Sequence, residues 1–188
     1  VCELTNSTQN IGVCTYPVKD CPQYCSSHGT CIYKDNNDNE IDTCLKSNVF
    51  CRAECECEDG YFGQDCSIEG TAELELIIQV RDEVCYDLEQ VQTIQNENAD
   101  TLLTRAALVA ETLIDYNLIS TNAFKTCVTL LTNTVADYPE IVGSPSHGAT
   151  FVNAFSTILN QRTALPTTVY NEIVDGLKIL IEGFHANL

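Results

Sequence analysis

The chain has 188 residues, twelve cysteines, no Trp or Met, and 27 acidic against nine basic residues, for a formal charge of −18. The acidity is spread at −7 over residues 1–66 and −11 over the remainder. With no Lys/Arg patch to displace counterions, nucleic acid and anionic lipid are excluded as natural partners. Ten of the twelve cysteines lie in the first 66 residues, so two small units are expected: crosslinks constrain the first, which is poor in aliphatic residues, and burial builds the second.

In chain order, residues 1–20 carry Cys2 and Cys14, most simply paired with each other as a small loop or the end of a preceding module. Asn6-Ser7-Thr8 is the single N-x-[ST] sequon, which makes Asn6 a candidate glycosylation site in a secreted protein. Residues 21–68 hold Cys21-x3-Cys25-Ser26-x2-Gly29-x-Cys31 and then Cys55-x-Cys57-x2-Gly60-Tyr61-x-Gly63-x2-Cys66. An even cysteine count at this density points to an oxidising compartment, outside the cell or at its surface. Zinc is the competing reading of Cys55-x-Cys57, but a Gly-aromatic-x-Gly turn follows it and no His stands at ligand spacing.

After Glu69-Gly70-Thr71 the punctuation by cysteine gives way to helical spacing, and residues 72–188 read as an all-α bundle of about five helices. Leu74, Ile77, Val80, Val84, Leu88, Val91 and Ile94 make one apolar stripe. Leu102, Ala106, Val109 and Leu113 make a second, and Phe124, Cys127, Leu131 and Val135 a third, with Ser120 and Thr121 as candidate N-caps. Pro139, Gly143, Pro145 and Gly148 predict a loop over 138–149. A short helix with Phe151, Phe155 and Leu159 follows, then Pro166, then a last helix with Val169, Ile173, Leu177, Leu180 and Phe184. Cys85 and Cys127, the only cysteines here, are expected to staple the first helix to the third. Leu76, Ile78, Leu118, Ile119 and Ile141 fall off the main stripes and would mark a second contact surface.

The C-x3-C-S-x2-G-x-C and C-x-C-x2-G-[YF]-x-G-x2-C spacings resemble an EGF-like module over residues 21–66. That resemblance implies a small disulfide-rich β module with pairs Cys21–Cys31, Cys25–Cys55 and Cys57–Cys66, one of the fifteen arrangements that six cysteines allow. Cys44 and Cys51 then lie in a 23-residue insertion between the third and fourth EGF cysteines and are expected to pair with each other. Gly60 and Gly63 fall where the family's last hairpin turns, positions suited to positive φ. The form closing with G-Y-x-G-x-D-C-S looks like modules of multi-EGF extracellular proteins of protists, including mastigoneme and sexually induced proteins of heterokont algae. The helical part, at Ala154-Phe155-Ser156-Thr157-Ile158-Leu159, loosely resembles the helical subdomain of adhesion-receptor and polycystin-type ectodomains. Their His-Leu-[Ser/Thr] cleavage motif is missing, so self-proteolysis is not carried over.

Catalysis requires a convergent acid, base or nucleophile. His28, His147 and His185 lie far apart in sequence, Ser144 and Ser146 are only neighbours of His147, and no Gly-x-Ser-x-Gly elbow is present. No cofactor is therefore expected beyond a candidate calcium loop, where Asp35, Asn37 and Asn39 alternate and Asp42 follows. Against calcium, Glu40 stands where an EF-hand loop has Gly and Lys46 where it has a bidentate acid, and a solvated insertion is the other reading. The Asp/Asn-x-Asp/Asn-Glu run of calcium-binding EGF modules is not met before Cys21.

The expected protein is a secreted or cell-surface, non-catalytic structural module whose partners are other subunits or modules of the same extracellular assembly. The alternative is an adhesion or ligand-binding ectodomain of a membrane receptor. The N-terminal Val1-Cys2-Glu3 shows no leader pattern and the C-terminus ends within an apolar helical pattern, so an excerpt of a longer protein is expected. No run of membrane-spanning length occurs in the chain.

Overall fold

The computed structural model describes residues 2–6, 11–14, 16–93, 97–159 and 167–186. The chain divides into two compact units, Val1–Leu74 and Glu75–Leu188. The first is a disulfide-rich region of small antiparallel sheets and the second is helical.

In the first unit, β1 (Cys2–Asn6) pairs with β2 (Ile11–Cys14) in a register that sets Cys2 opposite Cys14. The bond expected between those cysteines and the Asn6 side chain lie outside the described residues. The main sheet joins β3 (Gly29–Asp35), β4 (Glu40–Ile41) and β5 (Cys51–Cys57) in the order β4-β3-β5. In β5 the alternation Cys51, Ala53, Cys55, Cys57 against Arg52, Glu54, Glu56 sends one set to the disulfide core and the other outward. The outward set is laced by Lys34–Glu54 at 3.1 Å and Arg52–Glu54 at 3.2 Å. A last hairpin pairs β6 (Tyr61–Phe62) with β7 (Ile68–Glu69), with Gly60 and Gly63 both at φ 90°. At Gly29 an added Cβ would stand 2.7 Å from both Cys66 Sγ and the Glu56 carbonyl, so glycine is what lets β3 run flush against the Cys57–Cys66 bridge.

In the second unit, α1 (Thr71–Gln92, whose first turn belongs to the preceding unit) leads into α2 (Ala99–Thr112) and α3 (Thr121–Asp137). Asn98 and Thr101 close a reciprocal capping box on α2, and the Ser120 hydroxyl caps α3 by accepting from Ala123 N–H. Then follow α4 (Pro139–Val142), α5 (Pro145–Leu159) and α6 (Thr167–Ala186). The core forms where α2 packs on α5 and α3 on α6, around fully buried Phe124, Phe151 and Phe155. Leu118 and Ile119, expected on a second contact surface, are buried instead, because the 3-10 helix Tyr116–Leu118 turns them inward at the α2–α3 connection.

Two expectations are corrected. The stretch 138–149 is largely helical rather than a loop. Pro139 and Pro145 stand at helix starts, where a missing N–H costs nothing and the fixed φ suits the helix, so they begin helices rather than break one. The stripe of α1 is only half-buried: Leu74, Ile77, Val84, Leu88 and Val91 are partly covered, Leu88 against the core, while Val80 is 51% exposed and Cys85 is the helix's one buried residue. The helix is anchored by the Cys85–Cys127 disulfide, by Arg81 donating to the Thr112 carbonyl and by Asp82 accepting from Ser120 N–H. Burial pulls Arg81 down from its usual value, opposed by the charge of Asp115.

Two outcomes follow for stability. Replacing Cys85 and Cys127 together with Ala releases a loop of sequence separation 42, for an expected loss of about 4 kcal/mol on the loop-closure account. Hydrogen exchange of α1 amides should rise well above that of α3, and unchanged α1 protection would show the other contacts to suffice. Where α4 meets α6, a Cβ on Gly143 would lie 2.6 Å from Gly183 C and 2.7 Å from its carbonyl oxygen. Gly143→Ala should therefore lower the melting temperature, costing about 1–3 kcal/mol, although φ −74° would itself suit alanine.

Candidate functional site

The surface with the clearest functional shape lies on the first unit, around the loop closed by Cys44–Cys51. Residues 17–19 run beside 44–46 through a Val18–Leu45 bridge, with Lys19 N–H donating to the Cys44 carbonyl at 2.7 Å and Lys46 N–H to that of Pro17 at 2.8 Å. Within the loop, Asn48 N–H donates to the Leu45 carbonyl, and Asn48 Oδ1 accepts from Phe50 N–H at 2.9 Å. These bonds fix a turn that presents Val49 and Phe50 to solvent at 78% and 69% exposure. Tyr16, just before the paired segment, is also exposed. Tyr24 is 79% exposed. Lys46 itself holds Asp20 at 2.6 Å, and that hydrogen bond raises its pKa.

Tyr24 is carried by an unusual turn. Over Pro22–Ser27 the chain winds as a left-handed 3-10 turn, with Gln23, Tyr24, Cys25, Ser26 and Ser27 all at φ between 43° and 64°. Each non-glycine residue in that region costs about 1–2 kcal/mol. Cys21–Cys31 and Cys25–Cys55 pin the turn to β3 and β5. His28 ends it, stacked on Tyr61 with ring centroids 3.9 Å apart.

The four candidate calcium ligands do not form an open oxygen cage. Asp35 Oδ1 accepts from the backbone N–H groups of Asn37 and Asn39 at 2.8 and 2.9 Å, and its Oδ2 accepts from the Asn39 side-chain amide at 3.0 Å. Those bonds, led by that from the Asn39 side chain, hold the Asp35 carboxyl below its usual pKa. Asn37 contributes its backbone rather than its side-chain oxygen, Asp38 pairs with Arg52, and Asp42 lies outside the cap. The spacing that resembles a metal loop also suits the self-capping of the β3–β4 turn, and these bonds form that cap. Among the described residues the one cluster of three or more close metal-binding groups is Cys21, Cys25 and Cys55, all consumed in disulfides.

The other chemical candidates stay apart. His147 Nδ1 meets the Ile141 carbonyl at 3.3 Å, while the Ser144 and Ser146 hydroxyls meet each other at 3.3 Å. The His185 side chain lies outside the described residues. Among the described residues five disulfides are formed: Cys21–Cys31, Cys25–Cys55, Cys44–Cys51, Cys57–Cys66 and Cys85–Cys127. Such density is typical of proteins from oxidising compartments. Among the described residues no helix is long and apolar enough to cross a membrane.

The presentation of Val49 and Phe50 escapes a reading of the loop by its acids. A signal was available, because two large apolar residues directly before Cys51 cannot be buried by a loop as short as 45–50. The chain is thus of the disulfide-rich, sheet-plus-helix class. Comparison with known proteins gives no matching family model, no matching curated protein and no matching solved structure.

The Asp35 cap can be checked by titration. A carboxyl held below its unfolded pKa, near 3.8, stabilises the turn above that value and loses the effect as pH falls through the folded pKa. The Asp35 carboxyl resonance should titrate below the ordinary carboxylate range, and Asn39→Ala should move it back up. Millimolar calcium should leave the Asn37 and Asn39 amide resonances in place, and a saturable shift there would overturn the cap as the role of these residues.

Proposed function

We propose that the protein is a non-catalytic structural module of an extracellular matrix, filament or cell-surface assembly, and that its first unit is EGF-like and makes contacts with other subunits or modules. One observation carries this reading: Tyr16, Tyr24, Val49 and Phe50 are held outward on loops fixed by disulfides and backbone hydrogen bonds. A rigid loop that exposes aromatic and aliphatic side chains has little ordering entropy left to lose on association, and buried aromatic anchors dominate protein contacts. The pairing of Cys21 with Cys31, Cys25 with Cys55 and Cys57 with Cys66 supports the EGF-like assignment, because it is the connectivity that family implies. The disulfide density supports an extracellular location. The dispersal of His28, His147 and the serine pair speaks against a catalytic centre built from them.

Electron microscopy of the native material, beside polypeptide mass on gels with and without reductant, is expected to show ordered fibres or sheets. The double variant Val49→Ser, Phe50→Ser should weaken assembly while its disulfides and helical circular dichroism persist, since substitutions at exposed positions usually change stability within about 0.5 kcal/mol. Dispersed single particles that require detergent would instead favour a receptor ectodomain.

A further inference from the structure

Two exposed apolar surfaces of the chain carry opposite charge. The segments 16–25 and 44–51, which present Tyr16, Tyr24, Val49 and Phe50, hold Lys19 and Lys46 against Asp20 alone. That balance reverses the chain's own, with its 27 acids to nine bases. On α1, Leu76 and Val80 are 60% and 51% exposed. Exposed Glu83 and Asp87 continue their line at spacings of three and four, which puts the four side chains on one outer stripe of the helix. Arg81, the one base of α1, is engaged with the Thr112 carbonyl, so no base of the helix offsets the carboxylates of that stripe.

We propose that the loop patch of one molecule docks on the outer stripe of α1 in a second copy, with Val49 and Phe50 covering Leu76 and Val80 while Lys46 exchanges Asp20 for Glu83 or Asp87. The proposal rests on the contact role assigned above to the loop, and it names the partner. Charge selects the pairing. Loop on loop doubles an excess of positive charge, and stripe on stripe doubles a negative one, whereas loop on stripe joins opposite signs. Molecules of formal charge −18 repel one another, so association is favoured where the sign inverts locally. The contact leaves an unused loop on one molecule and an unused stripe on the other, a geometry that can continue into the ordered fibres expected above.

The test is sedimentation of the full chain over a range of concentrations, where the average mass of the native protein should rise with concentration. Val49→Ser with Phe50→Ser and, separately, Leu76→Ser with Val80→Ser should each lower the association constant at least about tenfold, the scale of a lost interface anchor. Mixed in equal amounts, these two variants should form dimers and stop there, because each pair keeps one working loop and one working stripe. Helical circular dichroism identifies a variant that fails to fold, and charge reversal gives a second route. Lys46→Glu should weaken association to a similar degree, and Glu83→Lys with Asp87→Lys in the same chain should restore it. A native chain that stays monomeric at every concentration, Leu76→Ser, Val80→Ser chains that associate like the native, or a mixture that gains no dimer would overturn the proposal. If the native assembly seen by electron microscopy still depends on Val49 and Phe50 in those cases, the loop's contact role stands with a different partner. If it does not, both readings fall.

Discussion

The Cys25–Cys55 bond joins a left-handed turn to the middle of β5, and the geometry of the first unit depends on that crosslink more than on any contact. Among the described residues the buried cluster there is Cys21, Cys25, Ala53 and Cys66, with Tyr33 and Tyr61 packed against it, and Cys44, Cys51 and Ile68 are buried besides. So small a core cannot offset the conformational entropy of ordering the chain, and it cannot by itself hold five successive residues at positive φ. Crosslinks act on the other side of the balance, restricting the unfolded chain by typically 2–4 kcal/mol each. The turn and its exposed Tyr24 are thus products of covalent connectivity. The same logic leaves Val49 and Phe50 free to face outward, because the unit does not need them inside.

The helical unit inverts this balance. Phe124, Phe151, Phe155 and a surrounding set of Leu, Ile and Val are fully buried, and one disulfide suffices. Dense packing shows in its glycines: at Gly176 a Cβ would come within 2.8 Å of Phe155 Cζ and 3.0 Å of Thr132 Cγ2, so α6 passes the α3 and α5 side chains with no room for a methyl group. The cost of closeness falls on small residues at helix crossings, where the first unit places it on cysteines.

How far such features can be read from sequence depends on whether the information is local. Cysteine spacing bears on pairing because the covalent bond tolerates only a narrow separation, and the bonded pairs in both units are those that spacing and resemblance indicate. Helical periodicity likewise places Leu102, Val109, Phe124, Leu131, Ile173 and Leu180 in the core. It fails where two mechanisms share one pattern. Pro139 and Pro145 end helices or begin them according to the residues that follow, and Asp35-x-Asn37-x-Asn39 suits a calcium loop and an Asx-capped turn equally. In the second case what distinguishes the cap is the pair of backbone N–H groups that reach Asp35, and only the fold brings them there.

The α1 helix shows the deeper limit. An apolar stripe states which face a helix would bury if a hydrophobic partner were offered, and says nothing about how deeply that face is covered once other contacts hold the helix. Here Arg81, Asp82 and Cys85 occupy the side directed at α2 and α3, through two hydrogen bonds and a disulfide. A covalent bond fixes rotation about the helix axis far more strictly than a few half-buried aliphatic residues can. Val80 is left in solvent, while Leu88, one turn beyond Cys85, touches the core. A helix held by one disulfide and two polar contacts thus needs no deep apolar seam, and its stripe stays half-buried with Val80 in solvent.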